Sequence, residues 1–193
     1  MHKSYLIVYY TESGSTKDVA TLLAERLNAR IINVKERMDD LEIGDSSVII
    51  CTPNKFGKPA KPILDFITRS KEQLNKNLVS VCFTCMDCYD VPEEEQTYPC
   101  IMYKDSNFIY QVKSGKQMNS WEKSHSVSSY LDVVKKYFPG ELHLIAFFKG
   151  NLSFKDLRFW DALTMRFISL INPKIRQGYY LKKEDVETCT AQF

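Results

Sequence analysis

A short stretch rich in hydroxyl groups, residues 11–16, has the composition of a phosphate-binding loop. It follows the apolar run 5–10 and precedes an amphipathic segment, 17–27, so we expect a strand, a loop and a helix in that order. The unpaired amides of the first helical turn and the helix dipole would then face one point and favour a phosphate there. An ordinary capped turn is the alternative, because serine and threonine are also preferred helix caps. The candidate residues are Thr11, Glu12, Ser13, Gly14, Ser15 and Thr16.

Two further loops are predicted to lie beside this phosphate loop. One follows the apolar strand 46–52 and is marked by two prolines and a glycine, and the other follows the strand 77–84. Ligands of open parallel sheets bind at the carboxyl ends of the strands, so both loops should face the same ligand. The candidate residues are Thr52, Pro53, Asn54, Lys55, Phe56 and Gly57 in the first loop, and Thr84, Cys85, Met86 and Asp87 in the second.

Continuous apolar strands without alternation are typical of a parallel sheet covered by helices on both faces. We predict an α/β fold with a doubly wound, five-stranded parallel sheet in the order 2-1-3-4-5, because crossover connections are right-handed. The strands are expected at 5–10, 30–34, 46–52, 77–84 and 141–149. The 193 residues fit one domain, 1–193, with insertions at about 85–123 and 151–178, after the fourth and fifth strands.

The composition of the chain argues against several classes of protein. The chain is 44% hydrophobic and 26% charged, with a formal net charge of +2, which gives no reason to expect a nucleic-acid partner. No apolar run approaches the length of about 18 residues that marks a membrane span. The first residues lead directly into the first strand and leave no room for a signal peptide. We therefore expect a cytoplasmic protein.

The first insertion contains cysteines at a spacing seen in iron–sulfur sites, namely Cys82, Cys85 and Cys88, with Cys100 further on. Against a cluster, Cys82 lies inside a predicted strand, and free buried thiols are common. We predict that the chain binds no metal, and keep a cysteine-cluster redox protein as an alternative. A short strand is expected at 108–112 within this insertion.

The second insertion contains a segment, 154–171, that combines aromatic and basic residues. The simplest interpretation is a helix packed on the domain. A functional interpretation is the lip of a substrate site or a peripheral contact with the inner membrane surface, since aromatic and basic residues together suit an interface. Asp156 and Asp161 argue against the membrane contact, because such helices have a strongly cationic polar face.

Taken together, Thr11, Ser13, Gly14 and Thr16 resemble the phosphate loop that binds flavin mononucleotide (FMN) in the flavodoxin family. Residues 52–57 resemble that family's isoalloxazine loop, with Phe56 and Gly57 in the place of its aromatic–glycine pair. Residues 150–154, then 158–161 and 166–167, are similar to the flavodoxin-like protoporphyrinogen dehydrogenases that pass electrons to quinones.

The resemblance implies a flavodoxin-like fold, FMN as cofactor, and an oxidoreductase with a small-molecule or quinone redox partner. The alternative is an electron-transfer flavodoxin that has no substrate of its own and serves a redox protein. The slightly basic charge favours the enzyme, because carriers of this family are typically acidic, which suits docking to basic partners. The sequence assigns neither a catalytic residue nor an oligomeric state.

Overall fold

The computed structural model describes residues 4–36, 41–55, 58–108, 111–138, 141–155, 157, 159–172 and 175–193. The strands are β1 (Tyr5–Tyr9), β2 (Arg30–Asn33), β3 (Ser47–Lys55), β4 (Lys58–Pro59), β5 (Leu78–Cys85), β6 (Ile101–Lys104) and β7 (Glu141–Lys149). The helices are α1 (Ser15–Leu27), α2 (Lys61–Arg69), α3 (Lys71–Leu74), α4 (Ser120–Ser124), α5 (Val127–Tyr137), α6 (Phe159–Ile171) and α7 (Lys183–Thr190).

The main sheet runs in the order β2-β1-β3-β5-β7-β6, with every neighbouring pair parallel. The five predicted strands therefore occur in the predicted order, and the prediction of an α/β doubly wound fold is confirmed. The strand number is wrong: within the described residues the sheet has seven strands, because β6 joins the edge beyond β7 and the short β4 pairs antiparallel with β3.

The position of the strand in the first insertion is also wrong. The expected strand 108–112 is replaced by β6 at Ile101–Lys104, followed by a 3-10 turn at Ser106–Phe108. Residues 109 and 110 of the expected strand lie outside the described residues. A four-residue strand has too short a pattern to be located by periodicity, and its pairing with β7 is a long-range contact.

The strands are apolar because helices cover both faces of the sheet. Leu6, Ile7 and Val8 of β1 have no exposed surface. Leu6 and Val8 belong to the core under α2 and α5, whereas Ile7 packs in the second core under α1 and α7. The alternation of side chains along a strand thus supplies two cores from one apolar run.

The helix predicted at 17–27 is α1, which begins two residues earlier, and the helix predicted at 154–171 is α6, which begins at Phe159. Two short helices, α2 and α3, follow β4 and meet at Ser70. α1 starts after Gly14, whose φ of 95° is in the left-handed region, and ends at Asn28, which is also left-handed with a φ of 49°. Glycine and asparagine tolerate this conformation, so these two residues set the limits of α1.

The first insertion has structure of its own, organised around a buried carboxylate. Asp90 is 2% exposed, pairs with the ammonium group of Lys104 on β6, and accepts a hydrogen bond from the hydroxyl of Tyr98. Further along, Asn119 and Glu122 cap α4 reciprocally. These contacts hold the inserted residues beside the sheet. They also position α4, which forms part of the cavity wall described below.

Candidate functional site

The phosphate loop lies between β1 and α1, as expected. The amide of Gly14 donates to the Thr11 hydroxyl oxygen at 3.0 Å, which closes the loop on itself. No side chain among the described residues caps α1, so the amides of its first turn remain directed outward from the helix end. A β-carbon added at Gly14 would meet no atom within 4 Å, so the space in front of the loop is open. These features fit a bound phosphate group.

Two of the loop hydroxyls form hydrogen bonds within the protein. The Ser15 hydroxyl donates to the backbone oxygen of Asn151 at 3.0 Å, and the Thr16 hydroxyl lies 2.6 Å from that of Thr84. Ser15 and Thr16 are almost completely buried. These two side chains therefore join the phosphate loop to the loops after β7 and β5, which leaves backbone amides as the main phosphate donors.

A cavity of about 470 Å³ begins at the phosphate loop and continues between the sheet edge and α6. Its floor is formed by residues at the carboxyl ends of β3, β5 and β7, and its outer wall by α4 and α6. Its lining is mostly apolar, which suits an aromatic ring system. The principal lining residues are Glu12, Ser13, Ser15, Pro53, Asn54, Thr84, Cys85, Met86, Asp87, Trp121, His125, Tyr130, Asn151, Leu157, Asp161, Thr164, Met165 and Ile168.

The structure thus brings together most of the predicted site residues. Glu12, Ser13 and Ser15 of the phosphate loop line the cavity. Asn54 and Asp87, from the other two predicted loops, line it as well. Thr52 is fully buried, and its hydroxyl oxygen accepts a hydrogen bond from the Ala60 amide at 3.1 Å. It therefore joins β3 to the residue that precedes α2. Phe56, Gly57 and the side chain of Lys55 lie outside the described part of the chain, and their predicted roles remain predictions.

A hydrogen-bond network connects the end of β3, where Asn54 lies, and the loop after β5 to α5. The Asn54 amide nitrogen donates to the Tyr130 hydroxyl at 2.9 Å, and that hydroxyl donates to the backbone oxygen of Asp87 at 3.1 Å. Burial raises the pKa of Tyr130 well above its ordinary value, so the hydroxyl keeps its proton. Tyr130 therefore fixes the position of the end of β3 relative to the loop after β5.

The Asp87 side chain is held from the opposite side by the inserted residues. Its Oδ2 accepts hydrogen bonds from the Trp121 indole at 3.1 Å and from the Asn172 amide at 3.4 Å. The Trp121 ring in turn stacks on His125, with ring centroids 4.2 Å apart and an angle of 22°. α4 and the end of α6 are in this way fastened to the loop after β5.

Several lining residues, above all Trp121 and Tyr130, were not predicted from the sequence, whereas 154–171, which contains α6, was offered as a possible lip of a substrate site. His125 is half-buried and also lies at the cavity wall. These residues are far in the chain from the phosphate loop and from the end of β3, so no local spacing links them to the site. The aromatic content of α4 and α6 was the one usable signal.

The cysteines do not converge. Cys82 packs in the core under α1, whereas Cys85 and Cys88 pack in the core on the other face of the sheet. Burial raises the pKa of both Cys85 and Cys88, which keeps these thiols protonated. Among the described residues, no group of three histidine, cysteine or acidic side chains is placed to hold a metal ion. The opposite directions of Cys82 and Cys85 do not fit a shared cluster.

α6 differs from the other long helices because none of its residues is buried. Asp161, Met165 and Ile168 face the cavity. The outward stripe consists of Phe159, Trp160, Leu163, Phe167, Leu170 and Ile171, which are between 51% and 83% exposed. We call these six residues the outer stripe of α6. None of the helices in the described part of the chain has the length and apolarity needed to cross a bilayer.

The doubly wound sheet, with its phosphate loop at a helix N-terminus and a cavity beyond it, defines an α/β protein of the nucleotide-binding type. The family model described as the flavodoxin domain matches residues 6–176, and the chain belongs to this family. Among curated proteins, none matches the sequence.

Solved structures similar to the chain include flavodoxins and flavoproteins. A flavodoxin from the domain Archaea is 12% identical, with a TM-score of 0.44, covering 89% of this chain and 98% of its own. A flavoprotein from Lactobacillus acidophilus in complex with FMN is 14% identical, with a TM-score of 0.43 and coverages of 75% and 93%. A flavodoxin from Fusobacterium nucleatum bound to FMN is 14% identical, with a TM-score of 0.42 and coverages of 72% and 68%. The family assignment rests on the family model.

Proposed function

We propose that this flavodoxin-family protein binds FMN and oxidises a bulky reduced substrate, as the flavodoxin-like protoporphyrinogen dehydrogenases do, with a quinone as electron acceptor. The observation that carries the proposal is the wall that α4 and α6 form over the cavity of about 470 Å³, which begins at the phosphate loop and would also hold the flavin. A protein that only carries electrons exposes the edge of its flavin to a partner and needs no such wall. An enzyme needs one to hold a substrate against the flavin and to exclude water.

The residues present fit FMN. The outward amides at the start of α1 and the open space at Gly14 suit its phosphate, and the apolar lining between Asn54 and Asp87 suits its ring. Residues 11–16 would hold the phosphate, and residues 52–57 and 84–87 would enclose the ring. When bound, FMN supplies the acceptor for a hydride or for single electrons. The protein holds the loops in position, through Tyr130 and Thr84, and shields the cavity with α6.

The cofactor assignment is tested by a charge placed in the phosphate loop. Ser13→Glu should weaken FMN binding to the apoprotein strongly, because a carboxylate would face the phosphate, while the neutral Ser13→Gln should bind much better. Riboflavin, which lacks the phosphate, should show little difference between the two variants. FMN binding is followed by quenching of flavin fluorescence. Equal FMN affinity for the two variants would remove residues 11–16 from the phosphate site.

Oxidation of a substrate by the protein distinguishes the enzyme hypothesis from the electron-carrier hypothesis. The FMN-loaded protein is mixed under anaerobic conditions with protoporphyrinogen, and reduction of the flavin and then of an added quinone is recorded. The enzyme hypothesis expects both reductions. Reduction only by a redox partner protein, with no reaction of porphyrinogen or quinone, would favour the carrier. Iron in the anaerobically purified protein would support the third interpretation, a redox protein built on the cysteines.

We further propose that the outer stripe of α6 contacts the inner membrane surface, where a lipid-soluble quinone is available, and that the protein is otherwise cytoplasmic. An exposed row of six large apolar side chains is more than a monomer in water normally shows. Arg166 is a cationic residue of the same helix, and its guanidinium group lies over the Phe154 ring at 5.5 Å. Co-sedimentation with phospholipid vesicles tests the contact, and protein that remains in the supernatant at every lipid concentration would contradict it.

A further inference from the structure

A histidine lies in the wall of the cavity, at the turn that joins α4 to α5. His125 follows Ser124, the last residue of α4, and is half-buried where it lines the cavity. The other histidine in the described part of the chain, His143 on β7, has its Nε2 atom 3.0 Å from the backbone oxygen of Gln192 and does not line this cavity. Of these two residues, His125 therefore supplies the imidazole that a ligand in the cavity can contact.

The contacts of the His125 ring determine which of its nitrogens carries the hydrogen. Nδ1 lies 2.9 Å from the backbone oxygen of Trp121 and 3.0 Å from the Ser124 hydroxyl. That hydroxyl donates its own hydrogen to the same backbone oxygen at 2.7 Å. A carbonyl oxygen only accepts hydrogen bonds, so Nδ1 is the donor of the imidazole. In the neutral ring, Nε2 is then the nitrogen without a hydrogen, and its lone pair can accept a proton.

The position of the ring is held by its neighbours. Its face stacks on the Trp121 indole, with ring centroids 4.2 Å apart, and that indole is itself held by its hydrogen bond to Asp87. Both hydrogen-bond contacts of the His125 ring with described residues are made by Nδ1. Nε2 is therefore the nitrogen of this ring that is open to a molecule in the cavity.

The function proposed above needs a proton acceptor at such a place. Removing two electrons from a reduced substrate breaks two of its bonds to hydrogen. One hydrogen leaves with its bonding electrons, as a hydride that reduces FMN, and the other leaves as a proton. A base within hydrogen-bond reach of that proton typically accelerates a reaction by about 100-fold to 10,000-fold. Imidazole suits this role, because it takes up and releases a proton near neutral pH.

We propose that Nε2 of His125 accepts the proton that the substrate loses during its oxidation, an assignment that rests on the function proposed above. The bond between the substrate and this hydrogen breaks, its electron pair stays with the substrate, and a new N–H bond forms at Nε2. His125 becomes an imidazolium with a hydrogen on each nitrogen. Nδ1 keeps its hydrogen bond to Trp121 throughout, so the ring does not have to turn. The half-buried ring then releases the proton to water, which restores the acceptor.

The hydrogen position on the ring is tested without substrate or turnover. The protein is prepared with isotope-labelled histidine, and the ring nitrogens are observed by NMR spectroscopy. The resonances of His125 are identified from their loss in His125→Asn. The expected result for the neutral ring is a hydrogen on Nδ1 and a bare Nε2. A neutral ring with its hydrogen on Nε2 would overturn the proposal, because that nitrogen could not accept a proton.

Matched replacements test the role of Nε2 in the reaction. In His125→Asn, the amide nitrogen can take the place of Nδ1 as the donor to Trp121, whereas the accepting nitrogen is lost. Reduction of bound FMN by protoporphyrinogen should slow by about 100-fold or more, with the FMN affinity and the urea denaturation curve unchanged. His143→Asn is the control and should react like the unaltered protein. An unchanged rate in His125→Asn would overturn the proposal.

Chemical rescue distinguishes a proton acceptor from a ring that only supports the structure. His125→Ala removes the ring and leaves space for a small base. N-methylimidazole has one bare nitrogen and no N–H group, so it can accept a proton but cannot donate to the Trp121 backbone oxygen. It should restore part of the lost rate. Rescue by imidazole but not by N-methylimidazole would overturn the proposal, because the N–H group would then be the part of the ring that matters.

The failure of this proposal can be told apart from the failure of the proposed function. If the unaltered protein reacts with protoporphyrinogen and His125→Asn reacts equally fast, the enzyme stands and the role of His125 alone is overturned. If the unaltered protein does not react, the proposed function is refuted, and the assignment of Nε2 to the substrate's proton falls with it. A slow His125→Asn, a normal His143→Asn and rescue by N-methylimidazole together support both.

Discussion

Helices α1 and α6 have the same length, 13 residues, and both border the same cavity, yet they differ in what they bury. α1 buries Val19, Ala20, Leu23 and Ala24 against the sheet, together with Ser15 and Thr16 at its start. α6 buries none of its residues, although it is rich in large apolar side chains. Hydrophobic side chains therefore have two different tasks in this protein.

The difference follows from where each helix meets the sheet. α1 crosses the face of β1 and β3, so one side of it is covered and its apolar residues stabilise the fold. α6 lies beyond the carboxyl edge of the strands, with the cavity between it and the sheet. Its inner side can serve a ligand and its outer stripe a partner surface, and neither adds much to folding. Four predictions test this contrast, beginning with the largest effect.

Truncating one leucine in each helix should separate stability from function. Leu23→Ala in α1 should lower the free energy of unfolding by about 3 kcal/mol, because Leu23 is completely buried and a cavity would remain. Leu170→Ala in α6 should change it by less than about 0.5 kcal/mol, since Leu170 is 83% exposed. Urea denaturation measures both. Similar losses in the two variants would show that α6 also supports the fold.

The outer stripe should matter for membrane contact. Replacing Phe167 and Leu170 together by serine should weaken binding to phospholipid vesicles by at least about tenfold, because each side chain would lose about 1.5 kcal/mol or more of apolar transfer. Glu25→Gln, on the exposed side of α1, is the control and should bind like the unaltered protein. Vesicle binding that survives the double replacement would assign the contact to another surface.

The phosphate loop should be sensitive to its backbone conformation. Gly14→Ala should cost about 1 to 2 kcal/mol of stability and weaken FMN binding, because alanine disfavours a φ of 95° even though the site has room for a β-carbon. Gly150→Ala is a matched control, since its β-carbon would meet Ser15 at 3.6 Å and Thr84 at 3.9 Å, which are both ordinary contacts. Thermal denaturation and flavin fluorescence measure the two effects. If both variants behave alike, the left-handed conformation of Gly14 is not the cause.

The hydroxyl contact between α1 and β5 should have the smallest effect. Thr16→Val should cost about 1 kcal/mol, because the buried Thr84 hydroxyl loses a partner 2.6 Å away. Thr84→Val in the same protein should add little further loss, which a double-mutant cycle would reveal as coupling between the residues. Strictly additive losses would mean that the two hydroxyls do not depend on each other.

The predictions from the sequence agree best with the structure where neighbouring residues determine the conformation. The strand, the hydroxyl-rich loop and the helix of residues 5–27 were located within two residues of their observed ends, because apolar runs and loop residues mark them directly. The family followed from the same stretch, and the prediction of FMN agrees with that family. The order of the central strands was also correct, since right-handed crossovers permit few arrangements.

Where the prediction was wrong or incomplete, contacts between distant segments decide the structure. β6 forms because four inserted residues meet β7, and Trp121 reaches the site because its indole bonds to Asp87, which is 34 positions away. Neither pairing leaves a periodic pattern in the sequence.

By itself, the sequence determined the class of the fold, the phosphate loop and the two neighbouring loops, since backbone preferences and apolar periodicity act over a few residues. The tertiary structure alone decided that α6 stands apart from the core with its apolar stripe in solvent. It alone decided that Asn54 and Asp87, which line one cavity, each have a buried side-chain oxygen with no hydrogen-bond partner among the described residues. Burial and hydrogen-bond satisfaction are properties of packed surfaces, and packing joins residues that no local pattern connects.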